Sequence, residues 1–167
     1  MKELFEKLSS YNIFNYLFPG VIFAVILSEV TIYNFVQKDI LVGAFLYYFI
    51  GLIISRVGSL IIEPFLKKIS FLKFIEYNRF VSACKSDEKI EILSETNNMY
   101  RTLCSAILLL IVAITYEKVT MYFSISYKAS VLIVLVILLI MFLFAYRKQT
   151  SYVRRRVVAS EKKSNEN

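Results

Sequence analysis

Charge in this chain is gathered into blocks, and between the blocks lie four apolar runs, each close to or above the length needed to cross a bilayer. The first covers residues 17–36 and is broken only near its far end by Ser28, Glu29, Thr31 and Asn34. The second, 40–62, holds a single charge, Arg56, and is closed by Glu63-Pro64, where proline is expected to stop the helix. The third, 99–116, meets Glu117 and Lys118 a little short of the roughly 20 residues that a span prefers. The fourth, 129–146, has Ser130 as its one polar residue and runs straight into Arg147-Lys148.

Backbone groups inside hydrocarbon must be bonded within their own segment, and a barrel would need alternating residues in place of continuous apolar runs. The spans are therefore expected to be helices. Composition excludes the soluble alternative: 57% of the 167 residues are hydrophobic and 16% aromatic, too much apolar surface for helices that each need a wet face. The stretch after Ser28 has no small-residue cleavage pattern and no soluble domain follows it, so the first run is expected to stay as a span and not to be cleaved as a signal peptide.

Lysine and arginine near a span resist translocation, so their distribution sets orientation. The segment between the second and third runs carries Lys67, Lys68, Lys73, Arg79, Lys85, Lys89 and Arg101, and the tail carries Arg147, Lys148, Arg154, Arg155, Arg156, Lys162 and Lys163. The opposite connections carry only Lys38, and Lys118 with Lys128. Four spans with this asymmetry place both termini in the cytoplasm of a multi-pass cell-membrane protein.

The fold expected is an all-α integral membrane protein: four transmembrane helices, an N-terminal interfacial helix and a short helical cytosolic segment between spans 2 and 3. Residues 1–16 form the interfacial helix, with Glu3 and Lys7 spaced as an i,i+4 pair and Pro19-Gly20 as the bend into the first span. Residues 17–63 form the first hairpin and 64–98 the cytosolic segment, too short for its own core but long enough for two short helices. The second of these opens at Ser86-Asp87-Glu88, a plausible cap. Residues 99–146 form the second hairpin, and 147–167 a basic cytosolic tail, disordered from Ser160 onward. Beside a span, such a tail suits anionic lipid better than nucleic acid. A faint likeness joins the halves, Glu29-Val30-Thr31-Ile32-Tyr33 against Glu117-Lys118-Val119-Thr120-Met121-Tyr122; spans share a small alphabet, which makes chance agreement the default.

Within the second run Gly51, Ser55 and Ser59 recur every fourth residue, with Gly43 and Gly58 near that face. Small residues let helix backbones approach closely. Such a face serves either packing inside the chain's own bundle or a helix interface between subunits. Arg56 lies about two turns from the cytoplasmic end of its helix. It can snorkel to the interface, pair with Glu63 two turns on, or line a path for ions. Arg101 is the other candidate partner for Glu63.

Chemistry is poorly provided for. With no histidine in the chain, the commonest general base and metal ligand is missing. Cys84 and Cys104 have neither zinc-knuckle nor redox spacing, and Asp87, Glu88, Glu91 and Glu95, interleaved with Lys89, read as a solvated face. No catalytic, metal or cofactor site is expected, and the chain is read as a non-enzyme.

In size, span count and basic cytosolic face the whole chain resembles the small four-span membrane subunits of bacterial antiviral defence systems, of which the Kiwa membrane subunit is an example. The resemblance implies a setting and assigns no residue a role. With the Gly/Ser face and the cytosolic segment, it leads to an expected homo-oligomeric effector or sensor that alters membrane permeability. The alternatives are an anchor that recruits a cytosolic protein through residues 65–98, or a small ion channel or transporter.

Overall fold

Two of the long helices contain a proline, and both accommodate it by the same device. In the computed structural model, which describes residues 12–164, the first helix, α1 (Ile13–Val30), opens with a wide π turn over Ile13–Leu17 in which the Phe18 N–H bonds the Ile13 carbonyl. Pro19 follows directly. The second, α2 (Ile40–Lys68), widens into a π turn over Gly58–Ile62, the Glu63 N–H bonding the Gly58 carbonyl, and Pro64 follows. In each case the next donor in that register is a proline, which has no N–H to give, and the widened turn makes room for its ring. The helix stop expected at Glu63-Pro64 therefore does not occur: α2 continues to Lys68. Nor does Pro19-Gly20 separate an interfacial helix from a span. Ile13 to Tyr16 already belong to α1, and the rest of the expected interfacial helix, residues 1–11, lies outside the described residues.

All regular structure among the described residues is helical. After α2 come α3 (Tyr77–Ser86), α4 (Lys89–Tyr122) and α5 (Tyr127–Ser164). Four helices, all but α3, are long and apolar enough to cross a membrane. Their boundaries differ from the expected ones for identifiable reasons. α1 ends at Val30 because Thr31 turns extended, its hydroxyl bonding the Leu27 carbonyl at 2.8 Å. α2 starts where the Asp39 carboxylate accepts the Val42 N–H at 2.8 Å.

The segment 64–98 holds one separate helix, not two. Its first residues complete α2, and its second half is the opening of α4, begun where the Asp87 carboxylate accepts the Lys89 N–H at 2.9 Å. α4 passes Glu117 and Lys118 without a break, since a charged pair at a helix end costs no backbone bond. The tail, expected to be disordered from Ser160 onward, is helical as far as Ser164, and residues 165–167 lie outside the described residues.

α2 and α4 end alike. Ser70 and Ser124 take positive φ, 59° and 51°, and the next N–H reaches back five residues: Phe71 to Leu66 at 3.0 Å, Ile125 to Thr120 at 2.9 Å. These are Schellman closures with serine where glycine is usual.

The core lies among α1, α2 and α4. Gly20 presses on the Tyr47 carbonyl and Gly51 on the Tyr16 carbonyl, and at both a Cβ would collide with backbone. Ala24, Leu27 and Ile54 fill the remaining space, and α4 contributes Thr102, Ser105 and Ala106, all buried. The buried hydroxyls are bonded to their own helix, Thr102 to the Asn98 carbonyl at 2.9 Å and Ser105 to that of Arg101 at 2.8 Å. α5 leans on α2 through Met141, Ala145 and a stacked Phe49–Phe142 pair at 6.2 Å, and touches α4 where the Tyr116 and Ser130 hydroxyls meet at 2.7 Å. Its other apolar residues, Leu132, Leu135, Ile137 and Leu143 among them, are exposed. The two hairpins thus differ in construction: one is closed backbone to backbone and joined by an extended segment, the other is splayed and joined by a tight turn.

Candidate functional site

The π turn of α2 prepares a charged knot beside the apolar part of the bundle. With Pro64 unable to donate, the Ser59 carbonyl lacks the partner that its register would supply. Lys148 of α5 takes it, its ammonium donating to the Ser59 carbonyl at 2.6 Å and to the Ser59 hydroxyl at 2.7 Å. The same ammonium lies 3.6 Å from Glu63 Oε1, so its three donors face three oxygens.

The other oxygen of Glu63 accepts from Arg101 Nη1 of α4 at 2.7 Å. That reach depends on Gly58, where a Cβ would strike Ser105 Oγ and press on the Arg101 side chain. Side-chain exposures of 13% for Glu63, 22% for Arg101 and 25% for Lys148 place the knot in a half-dry setting, where hydrogen-bonded charges attract more strongly than at a surface. One carboxylate against two cations leaves a net positive charge of one, and the Arg101 Nε is buried without a hydrogen-bond partner.

Above the knot, toward the ends that carry most of the basic residues, a second layer begins. The Tyr152 ring lies 5.8 Å from the Lys148 ammonium and 5.6 Å from the Arg155 guanidinium, close enough for cation–π attraction. It also meets the Tyr77 ring of α3 at 6.4 Å. Lys67 lies 4.5 Å over Phe74, fastening the connection between α2 and α3. At the opposite end of the bundle Glu117 Oε1 accepts the Ile32 N–H at 2.9 Å, and Tyr33 faces Tyr116 at 6.5 Å.

The residues singled out from the sequence separate into groups. Gly51 and Ser55 face the chain's own helices, Gly51 against α1 and Ser55 buried. Gly43 is buried near the start of α2, where an added Cβ would lie 3.2 Å from the edge of the Tyr47 ring. Gly58 and Ser59 belong to the knot. Glu63 and Arg101 are brought together, while Arg56 is half-buried and makes no ion pair among the described residues.

Lys148 was missed because Arg147-Lys148 reads as a stop signal. The signal that would have found it is the face shared by residues 148, 152 and 155, spaced i, i+4, i+7. Ser59 was noted for its size, whereas its structural use is as an acceptor. No group of three or more His, Cys, Asp or Glu that could hold a metal occurs among the described residues, and both cysteines are free thiols. What the knot can do chemically is hold three helices in one register by charge.

No protein-family model, no curated protein and no solved structure matches this chain.

Proposed function

We propose that this is a non-enzymatic, homo-oligomeric four-span protein of the cell membrane with both ends in the cytoplasm. It acts as a sensor or effector whose cytosolic helices govern the packing of its spans and hence membrane permeability. Bacterial antiviral defence is the setting that the resemblance in size, span count and charge implies.

The observation that supports this reading is the continuity of helix through the level of the knot. α4 has 34 residues and α5 has 38, about 51 and 57 Å at 1.5 Å per residue, against a hydrocarbon core of about 30 Å. About 21 Å of α4 and about 27 Å of α5 would stand clear of the bilayer as unbroken helix. A partner or signal that tilts the outer part must tilt the span, with the Glu63 ion pairs as the pivot between them. A tethered anchor has no use for such stiffness.

The test is oligomeric mass in nanodiscs followed by ion flux in liposomes from the same preparation. A defined oligomer that conducts, with conductance altered by Glu63→Gln, is the expected result; a non-conducting monomer would sink it. The anchor is the second reading, favoured by Ile92 and Leu93, 63% and 67% exposed on the part of α4 that leaves the membrane. It predicts co-purification of a cytosolic protein that is lost with Leu93→Asp.

A further inference from the structure

A groove lies between the start of α3 and the outer part of α5, walled by Glu76 and Tyr77 on one side and by Ser151, Arg154, Arg155 and Val158 on the other. Three independent features make it attractive to an anion. First, neither arginine is spent: among the described residues no ion pair involves Arg154 or Arg155, although Glu76 shares the groove. Arg155 is aimed by its neighbours, over the Tyr152 ring at 5.6 Å and to the Ser151 hydroxyl at 3.5 Å. Second, α3 begins at the groove, with Glu76 and Tyr77 in its wall, no acidic residue in its first turn and no side-chain cap from Glu76, so the positive end of its dipole lies at the groove's edge. Third, the knot beneath carries a surplus positive charge.

Depth identifies the occupant. If Arg147 marks the hydrocarbon edge, Ser151 stands about 6 Å beyond it and Arg155 about 12 Å. The polar zone of one leaflet is about 5–8 Å thick. Ser151 therefore lies at the level of the lipid phosphates, and the Arg155 guanidinium, 3.5 Å from the Ser151 hydroxyl, reaches back to that level from its more distant backbone, with Tyr77 placed as an interfacial aromatic.

We infer that this groove binds the phosphate headgroup of an anionic phospholipid of the inner leaflet, and that the bound lipid braces α3 against α5. The inference rests on the four-span reading with the basic ends cytoplasmic.

The experiment uses the full chain in nanodiscs of phosphatidylcholine and phosphatidylglycerol, with retained lipid counted by native mass spectrometry. Wild type should keep phosphatidylglycerol in preference. The Arg154→Gln/Arg155→Gln double variant, both positions being exposed, should lose that preference about thirtyfold, on the order of fivefold per arginine. Lys118→Gln/Lys128→Gln removes the same charge at the opposite end and should change nothing. Equal loss in both doubles, or none in the first, overturns the inference.

Displacement of the lipid by free glycerol phosphate would make the source soluble and overturn the lipid assignment. Arginine-dependent capture of a single-stranded RNA oligonucleotide with lipid retention unchanged would overturn it in favour of nucleic acid. Flotation with liposomes separates the two levels: a chain that floats but shows no headgroup preference sinks the groove alone, whereas a chain that does not float sinks the membrane reading.

Discussion

At the scale of residues, Glu63 is held between two cations that have no other carboxylate within ion-pair distance among the described residues. Glu63→Gln keeps the shape and removes the charge, leaving Arg101 and Lys148 to repel each other. Loss of one partner from a wholly buried pair costs about 3–5 kcal/mol. With the remaining exposure here, about 2 kcal/mol is expected, read as a lower midpoint of thermal unfolding in detergent. Gly51 tests a different force. Because a Cβ there meets the Tyr16 carbonyl, Gly51→Ala is expected to cost at the upper end of the about 1–3 kcal/mol typical of overpacking. Gly43→Ala, whose nearest contact is a mobile ring edge at 3.2 Å, should change the midpoint little. An unaltered midpoint for Gly51→Ala would show that α1 and α2 are not in backbone contact.

At the scale of elements, Pro64 and Lys148 are coupled through one carbonyl. Pro64→Ala restores the missing N–H and lets helix geometry satisfy Ser59, so Lys148→Met should be less damaging in that background than alone. A double-mutant cycle is expected to return about 1 kcal/mol of coupling; additivity would show that the Ser59 carbonyl never needed Lys148. The helix ends give a second test. Ser70 and Ser124 stand at positive φ, which a Cβ makes costly, so Ser124→Gly is expected to stabilise by about 1 kcal/mol in reversible unfolding.

Elements were unevenly legible beforehand. The apolar runs that became the long helices could be read because hydropathy accumulates over many residues. Helix ends could not, since each turns on a single local bond, such as Asp87 to Lys89 or Phe71 to Leu66. Proline misled at 64 because its rule as a helix breaker omits the option of a wider turn. In the site, Gly58, Ser59, Glu63 and Arg101 stood out by residue type beside apolar runs. Lys148 did not, because a lysine after a span has an ordinary explanation that conceals a specific one.

At the scale of the whole molecule, the arrangement proposed makes the Ser70 and Ser86 side cytoplasmic and the Ser124 side external. In a Cys84→Ser/Cys104→Ser background, Ser86→Cys should react with a membrane-impermeant maleimide only after lysis, and Ser126→Cys in intact cells. The reverse pattern would invert the topology, and labelling of both in intact cells would show that the chain does not hold one orientation. The looseness of α5 belongs to this scale too. Its apolar surface lies largely uncovered by the rest of the chain, and two polar links, Tyr116–Ser130 and Lys148–Ser59, pin it near either end. Cutting the lower link with Tyr116→Phe, whose hydroxyl meets both the hydroxyl and the carbonyl of Ser130, and the upper with Lys148→Met should raise hydrogen exchange along the Tyr127–Ser164 backbone more than along Ile40–Lys68.

The widened turn at Gly58–Ile62 also sets a phase. A π turn holds one residue more than the α-helical path it replaces, and each residue advances a helix by about 100° of rotation. Everything on α2 beyond that point is therefore clocked about a quarter-turn away from where an uninterrupted helix would aim it. Deleting Leu60 would unwind that offset, swinging Glu63 out from between Arg101 and Lys148 while leaving Gly51 and Ser55 where they are.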